Sequence, residues 1–199
     1  VKLPSHYGGG EATVIAWIWA RTVKCPNPTC GCQMPLVNSF ILSKKKDREA
    51  WVEPIVDGTA ITYQVRQGLC PLEGTVNRKG ARCVCCGANV PFEHIRQEGQ
   101  AGRLGSALIA VVAEGPSGRL YLNADKEQLK AADVARPDDI LNGVLPSNPR
   151  DFKTPNYGMI TFADLFTNRQ LTALTTFSQL IKEVRQQAEA DALEAGWED

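Results

Sequence analysis

Seven cysteines hold the densest reactive chemistry in this sequence, and most of them stand in two short knuckles. CPNPTCG spans Cys25 to Gly31 and CVCCG spans Cys83 to Gly87. Cys25 and Cys30 form one pair, Cys83 and Cys86 the other, and a glycine follows the second cysteine of each. Four thiolates arriving in two close pairs are the donor set of tetrahedral zinc. The glycines permit the positive-φ backbone on which such a turn ends. Four cysteine ligands close the coordination shell and leave no corner for a reactive water, so this zinc is structural. The competing reading is buried free thiols or redox cysteines. Cys32 and Cys85 could compete as ligands but fit the turns less well: Cys32 lies beyond Gly31, and Cys85 sits directly before Cys86. Cys70 reads as a core or surface thiol.

Little else in the chain suggests catalysis. Neither histidine, His6 or His94, lies near a recognisable nucleophile pattern, and His94 reads as a partly exposed helix residue. Gly99 to Gly105 (GQAGRLG) does not follow a clear apolar strand, which argues against a nucleotide loop. Thr154-Pro-Asn-Tyr157 resembles an amino-methyltransferase motif only with its residues in the wrong order. The remaining candidates are basic. Lys44, Lys45, Lys46 and Arg48 form one cluster, and Arg78, Lys79 and Arg82 form another beside the second knuckle. Such turns could meet nucleic-acid phosphates, an interaction that salt weakens, or could simply be solvated. Residues 148–158 (NPRDFKTPNYG) read as a packed connector, with partner docking as the alternative.

The elements that must position the knuckles are mostly strands. Residues 12–25 (ATVIAWIWARTVKC) are rich in β-branched and aromatic residues and apolar on both faces, which predicts a central strand with Trp17 and Trp19 in the core. Leu36–Ser43 reads as a second strand. Two β-rich runs around Asp57-Gly58 predict a hairpin with a type I′ turn, and Pro54 marks an edge or bulge. Residues 73–82 read as a loop returning to the second knuckle, and Phe92–Glu98 as a short helix. Ala107–Ala113 and RLYLNAD read as another hairpin, joined by EGPSG. Asp125 is a candidate N-cap for a helix to Ala135. A proline-rich connector follows, over residues 136–158. Thr167 and Gln170 then form a capping box, opening a helix that runs to about Ala195, with Leu171, Leu174, Phe177 or Ser178, Ile181 and Val184 on one stripe.

The expected fold is thus α+β: a β-rich zinc-ribbon domain over residues 1–124, then helix, connector and long C-terminal helix over 125–199. At 199 residues and 43% hydrophobic, the chain can bury a real core. Its formal net charge is zero, yet the halves differ. Residues 21–103 carry 12 Lys+Arg against 7 Asp+Glu, and residues 104–199 carry 9 against 14. No apolar run is long enough for a transmembrane helix, and no signal peptide is visible. An odd number of cysteines, clustered in knuckles, points to a reducing compartment and hence a cytoplasmic location. A start at Val1 without methionine is consistent with an excised piece of a longer protein.

Several phrases together resemble one family. TVIAWIWARTVKCPNPTCG, MPLVNSFILSKKK, GARCVCCGANVPFEHIRQEGQAGRLG and NPRDFKTPNYGMITFADLFTNRQLTALTTFSQL are similar, in the same order, to the large prokaryotic adenine-specific DNA methylases that contain a zinc ribbon. The resemblance implies a central segment whose ribbon cysteines are Cys25, Cys30, Cys83 and Cys86. Cys32 and Cys85 depart from that pattern. In the family the S-adenosylmethionine-binding motif lies upstream and the catalytic Asp-Pro-Pro-Tyr motif downstream. Neither is present here, so the implied segment has no catalytic residue and meets S-adenosylmethionine only in the full-length enzyme. Its implied partners are DNA and the flanking methyltransferase domain of the same chain. A protein-interaction module scaffolded by structural zinc is the alternative, and a separate enzyme using reactive cysteines is a further one.

Overall fold

The β-branched and tryptophan-rich run forms a strand of eleven residues that leads straight into the first knuckle. A computed structural model describes residues 1–3, 7, 9–115, 118–140, 143–146, 148 and 150–197. His6, Gly8, Pro116, Ser117 and Pro149 lie outside the described residues. In chain order the strands are β1 (Val14–Lys24), β2 (Gln33–Leu36), β3 (Ile41–Ser43), β4 (Ala50–Asp57), β5 (Ala60–Gln67), β6 (Val76–Asn77), β7 (Gly80–Arg82), β8 (Asn89–Pro91), β9 (Gly105–Gly115) and β10 (Gly118–Leu122). The α-helices are α1 (Phe92–Gln100), α2 (Lys126–Ala132) and α3 (Asn168–Glu194). This is the α+β, β-rich architecture expected, with a four-cysteine cluster and a long C-terminal helix.

Three antiparallel sheets account for the strands: β10-β9-β1-β2, β3-β4-β5 and β6-β7-β8. β1 is central, pairing with β9 along most of its length and with β2 at its knuckle end, where Lys24 faces Gln33. Trp17 is nevertheless not in the core. It is 48% exposed, and its indole Nε1 donates to Gln128 Oε1 at 3.1 Å. Ile15 shares that exposure, so this part of β1 is covered on one face only. Trp19, beyond a break in register with β9, packs against Leu108, Val111, Ala113 and Leu122.

Two expected segments divide differently. Leu36–Ser43 is not one strand: its ends belong to β2 and β3, in separate sheets. The chain turns between them, and Val37 and Phe40 bond to residues outside either strand: Val37 N–H donates to Thr75 Oγ1, and the Phe40 carbonyl accepts from Val52 N–H. Residues 73–82 are not a bare loop either, since β6 and β7 form a small hairpin that β8 completes. The second knuckle is the β7–β8 connection.

The β4–β5 hairpin forms with Asp57 opposite Ala60, so its two loop residues are Gly58 and Thr59. Gly58 has φ +59° and Thr59 is not among the positive-φ residues. That is the sign pattern of a type II′ turn, with glycine first, rather than the expected I′. Pro54 is tolerated because β3 reaches only the Ala50–Trp51 end of β4, leaving one side of the strand open further along.

The chain divides into two compact units, residues 1–129 with 156–158, and residues 130–155 with 159–199. In the first, Asn156–Gly158 docks on α1. Gln100 Nε2 donates to the Asn156 carbonyl at 3.2 Å, and Arg96 lies over the Tyr157 ring. Gly99 and Gly158 meet backbone to backbone, each too close to the other strand of chain for a side chain. In the second unit, Arg136 pairs with Asp164, and the Asn168 side chain donates to the Val134 carbonyl. The Thr167–Gln170 capping box opens α3, and Gly196, at φ +82°, follows its end.

Candidate metal centre

Each knuckle is shaped by its own short-range hydrogen bonds. In the first, Cys25 N–H donates to the Cys32 carbonyl, and the Cys30 and Gly31 N–H groups both donate to the Asn27 carbonyl. The Asn27 side chain accepts from Thr29 N and Oγ1, which holds the turn through its two prolines. Gly31 adopts φ +58°. The second hook repeats the design: Cys83 N–H donates to the Ala88 carbonyl, Gly87 N–H donates to the Cys83 carbonyl, and Gly87 has φ +73°. Both glycines occupy the left-handed region that other residues enter at a cost.

The two hooks face one another. The Sγ atoms of Cys25, Cys30, Cys83 and Cys86 all lie within 4.8 Å of one another. Cys25 and Cys86 are 3.8 Å apart, and Cys30 and Cys83 are 3.9 Å apart. A tetrahedral zinc–sulfur bond of about 2.3 Å places neighbouring sulfurs about 3.8 Å apart. The donors are soft, four in number and correctly spaced, so the residues fit the ion. This four-cysteine cluster has the make-up of a structural zinc site.

Its surroundings keep water away on one side. Val23, Met34, Ala81, Val90 and Ile95 form a buried cluster with Cys25, Cys32 and Cys83. Each fully buried aliphatic side chain of this kind contributes roughly 1.5–3 kcal/mol to folding. Cys86, on the other side, is exposed. Burial pushes the Cys25 thiol up to about 12 when no ion is present. Cys30 shifts the other way, chiefly through the Cys32 backbone N–H. At Cys83 burial opposes the thiolate, but N–H donors from Cys86 and Cys85 and the neighbouring thiols outweigh it, and its pKa falls. The hooks thus already favour the thiolate at Cys30 and Cys83, and a bound cation would favour it at Cys25.

The tertiary structure adds two cysteines that knuckle spacing set aside. Cys30, Cys32, Cys83 and Cys85 form a second group whose Sγ atoms lie within 4.8 Å of one another. The signal available in the sequence was the extra cysteine next to each hook's closing residue. Cys70 stands apart, its thiol donating to the Leu72 carbonyl. His94 is not placed as a ligand in either group; its Nε2 donates to the Lys24 carbonyl at 2.8 Å, bracing the end of β1 from α1.

The basic candidates are all exposed. Lys44, Lys45, Lys46 and Arg48 lie in the β3–β4 connection, where Asp47 has φ +62°. Arg78 and Lys79 form the β6–β7 turn, and Arg82 follows on β7. The two clusters therefore belong to different sheets. Arg82 is tied to the metal centre, since its Nε donates to the Gly87 carbonyl. No helix among the described residues is long and apolar enough to cross a membrane. No protein-family model, curated protein or solved structure matches this chain.

Proposed function

We propose that this chain is the zinc-ribbon segment of an adenine-specific DNA methyltransferase, non-catalytic by itself, which steadies or positions DNA for the catalytic domain. The observation that carries the reading is the convergence of Cys25, Cys30, Cys83 and Cys86, with the basic β6–β7 turn on the strand that enters the second hook. The phrases that resemble those of zinc-ribbon adenine methylases supply the enzyme context. In the full-length enzyme a methyl group would pass from S-adenosylmethionine to N6 of an adenine turned out of the duplex. Here the ribbon's work is mechanical and electrostatic: the ion clamps two loops, and Arg78 and Lys79 are held where a phosphate can reach them.

Fluorescence anisotropy with a labelled duplex tests this. The zinc-loaded chain should bind with an affinity that falls as salt rises. Arg78→Ala with Lys79→Ala should weaken binding and flatten the log–log salt slope by about one unit per lost phosphate contact. Unchanged binding in that variant removes the turn from the interface. Sequencing the coding region on both sides tests the enzyme context, which fails if neither methylase motif is there.

A second reading has its own observation. On α3, Phe177, Ile181 and Val184 are 65%, 70% and 67% exposed. An apolar stripe this bare suits a protein-interaction module with zinc as scaffold. Salt-insensitive, weak DNA binding together with capture of a methyltransferase domain would favour it.

A further inference from the structure

Cys30 and Cys83 belong to both four-cysteine groups. One group adds Cys25 and Cys86; the other adds Cys32 and Cys85. Neither group joins Cys25 or Cys86 to Cys32 or Cys85. This is the connectivity of two tetrahedra sharing an edge, with the shared edge running from Cys30 to Cys83 and one terminal pair on either side.

We propose that the chain binds two zinc ions in a six-thiolate cluster: Cys30 and Cys83 bridge the ions, Cys25 and Cys86 complete one coordination shell, and Cys32 and Cys85 complete the other. The inference rests on the metal-centre part of the reading above and is independent of any role in DNA binding.

The sulfur separations come within a few tenths of an ångström of the edges required. Cys32 Sγ lies 3.5 Å from Cys30 Sγ and 3.4 Å from Cys83 Sγ, and the bridging pair is 3.9 Å apart. Edges of about 3.8 Å follow from zinc–sulfur bonds of about 2.3 Å. A thiolate bound to one ion still has lone pairs for a second, so Cys30 and Cys83 can each serve both shells. All seven cysteines are free, so no disulfide competes for these sulfurs.

Charge favours the second ion as well. Four thiolates around one divalent ion carry a net charge of minus two. Six thiolates around two ions also carry minus two. The second ion therefore binds as its two new ligands lose their protons, with no added net charge in a dry setting. The dryness matters, because Cys32 is only 1% exposed and Cys83 2%, and an extra uncompensated charge there would be expensive. In total six thiols release six protons to solvent, and no sulfur changes oxidation state.

Cys32 and Cys85 also have a mechanical consequence. Cys32 sits next to β2 and Cys85 sits within the second hook, so the second ion extends the clamp from the first hook to the start of the β2 strand. The β1–β2 connection is then held at both ends instead of one.

Metal content of the full chain, purified anaerobically under reducing conditions, tests the proposal. Elemental analysis should give about two zinc ions per chain. After exchange with cadmium-113, the spectrum should hold two cysteine-bound resonances that split one another, because a bridging sulfur transmits the coupling. The double variant Cys32→Ser, Cys85→Ser should retain about one ion per chain. One zinc in the unaltered chain, two uncoupled cadmium signals, or a Cys32–Cys85 disulfide in the reduced protein would each overturn the second site while leaving the first. No bound metal at all would remove both sites. Should the double variant fail to fold, the cadmium spectrum of the unaltered chain still decides the matter.

Discussion

Cys30 and Cys83 are separated by 53 positions in the chain, and their sulfurs stand 3.9 Å apart. Everything between them is thereby held in one closed loop containing the β3-β4-β5 sheet. A metal at this point would bind the folded chain, where the four sulfurs converge, and not the unfolded one, and would stabilise the fold by its binding free energy.

Replacing either of these cysteines by serine should therefore be the most damaging single change in the molecule. Structural zinc supplies on the order of 10 kcal/mol to small domains at neutral pH, comparable to a typical domain's whole stability margin. Cys30→Ser and Cys83→Ser should lose bound zinc and the cooperative thermal transition, whereas Cys70→Ser should keep both. Circular dichroism melts with parallel zinc assays check this. A strong chelator added to the unaltered chain should reproduce the Cys83→Ser result, and a melt unaffected by complete zinc removal would contradict it.

Glu98 should give the acid limb of stability a measurable component. Its carboxylate accepts from Arg103 Nε and Nη2 at 3.0 and 2.6 Å. Chiefly through that pairing, its pKa is held below the ordinary glutamate value. A carboxylate lowered in the folded state contributes stability above its unfolded pKa and loses it as pH falls through the folded pKa. Arg103 is 60% exposed, so solvent screens the pair and its contribution is small. Glu98→Gln should lower stability slightly at pH 7, and the difference from the parent should shrink as pH falls through the folded pKa, which lies below the ordinary glutamate value. Urea midpoints across pH 3–7, with zinc content followed in parallel, measure it. A constant difference across that range would refute the assignment.

Gly99 and Gly158 test the docking of residues 156–158 on α1. A methyl group at Gly99 would collide with the Tyr157 backbone, and one at Gly158 with the Gly99 carbonyl. Gly158 also has φ +84°. Gly99→Ala would normally gain helix propensity; here it should instead destabilise by roughly 1–3 kcal/mol through overpacking. Gly158→Ala should cost at least as much, because strain adds to the clash. Thermal melts of both variants give the answer, and a stabilised Gly99→Ala chain would mean that the segment does not pack there.

The buried start of α3 and its exposed apolar stripe further along should respond differently to substitution. Leu171 is 1% exposed, while Phe177 and Ile181 are 65% and 70% exposed. Leu171→Ala should lower the stability of its unit by about 2–5 kcal/mol. Phe177→Ser and Ile181→Ser should change it by about 0.5 kcal/mol or less in the isolated chain. If they destabilise strongly, the stripe is already covered. Denaturant titration of the three variants distinguishes the cases.

What the sequence determined by itself was local. The two hooks, the hairpin at Gly58, the Thr167–Gln170 capping box and the Asp125 cap on α2 all depend on hydrogen bonds and dihedral preferences within a few residues. The Asp125 carboxylate accepts from Gln128 N–H at 2.7 Å, as its residue type and position dictated. What only tertiary structure decided depends on partners far along the chain. Val37 and Phe40 leave the β2 line because Thr75 and Val52 take their backbone hydrogen bonds, and no short window contains both ends of such a bond. Trp17 is exposed because that end of β1 is covered on one face only among the described residues, although its apolar neighbours predicted a core position. Sharing of Cys30 and Cys83 between two cysteine groups is of the same kind. Spacing can pair sulfurs within a hook, but the approach of one hook to the other sets which six sulfurs come together.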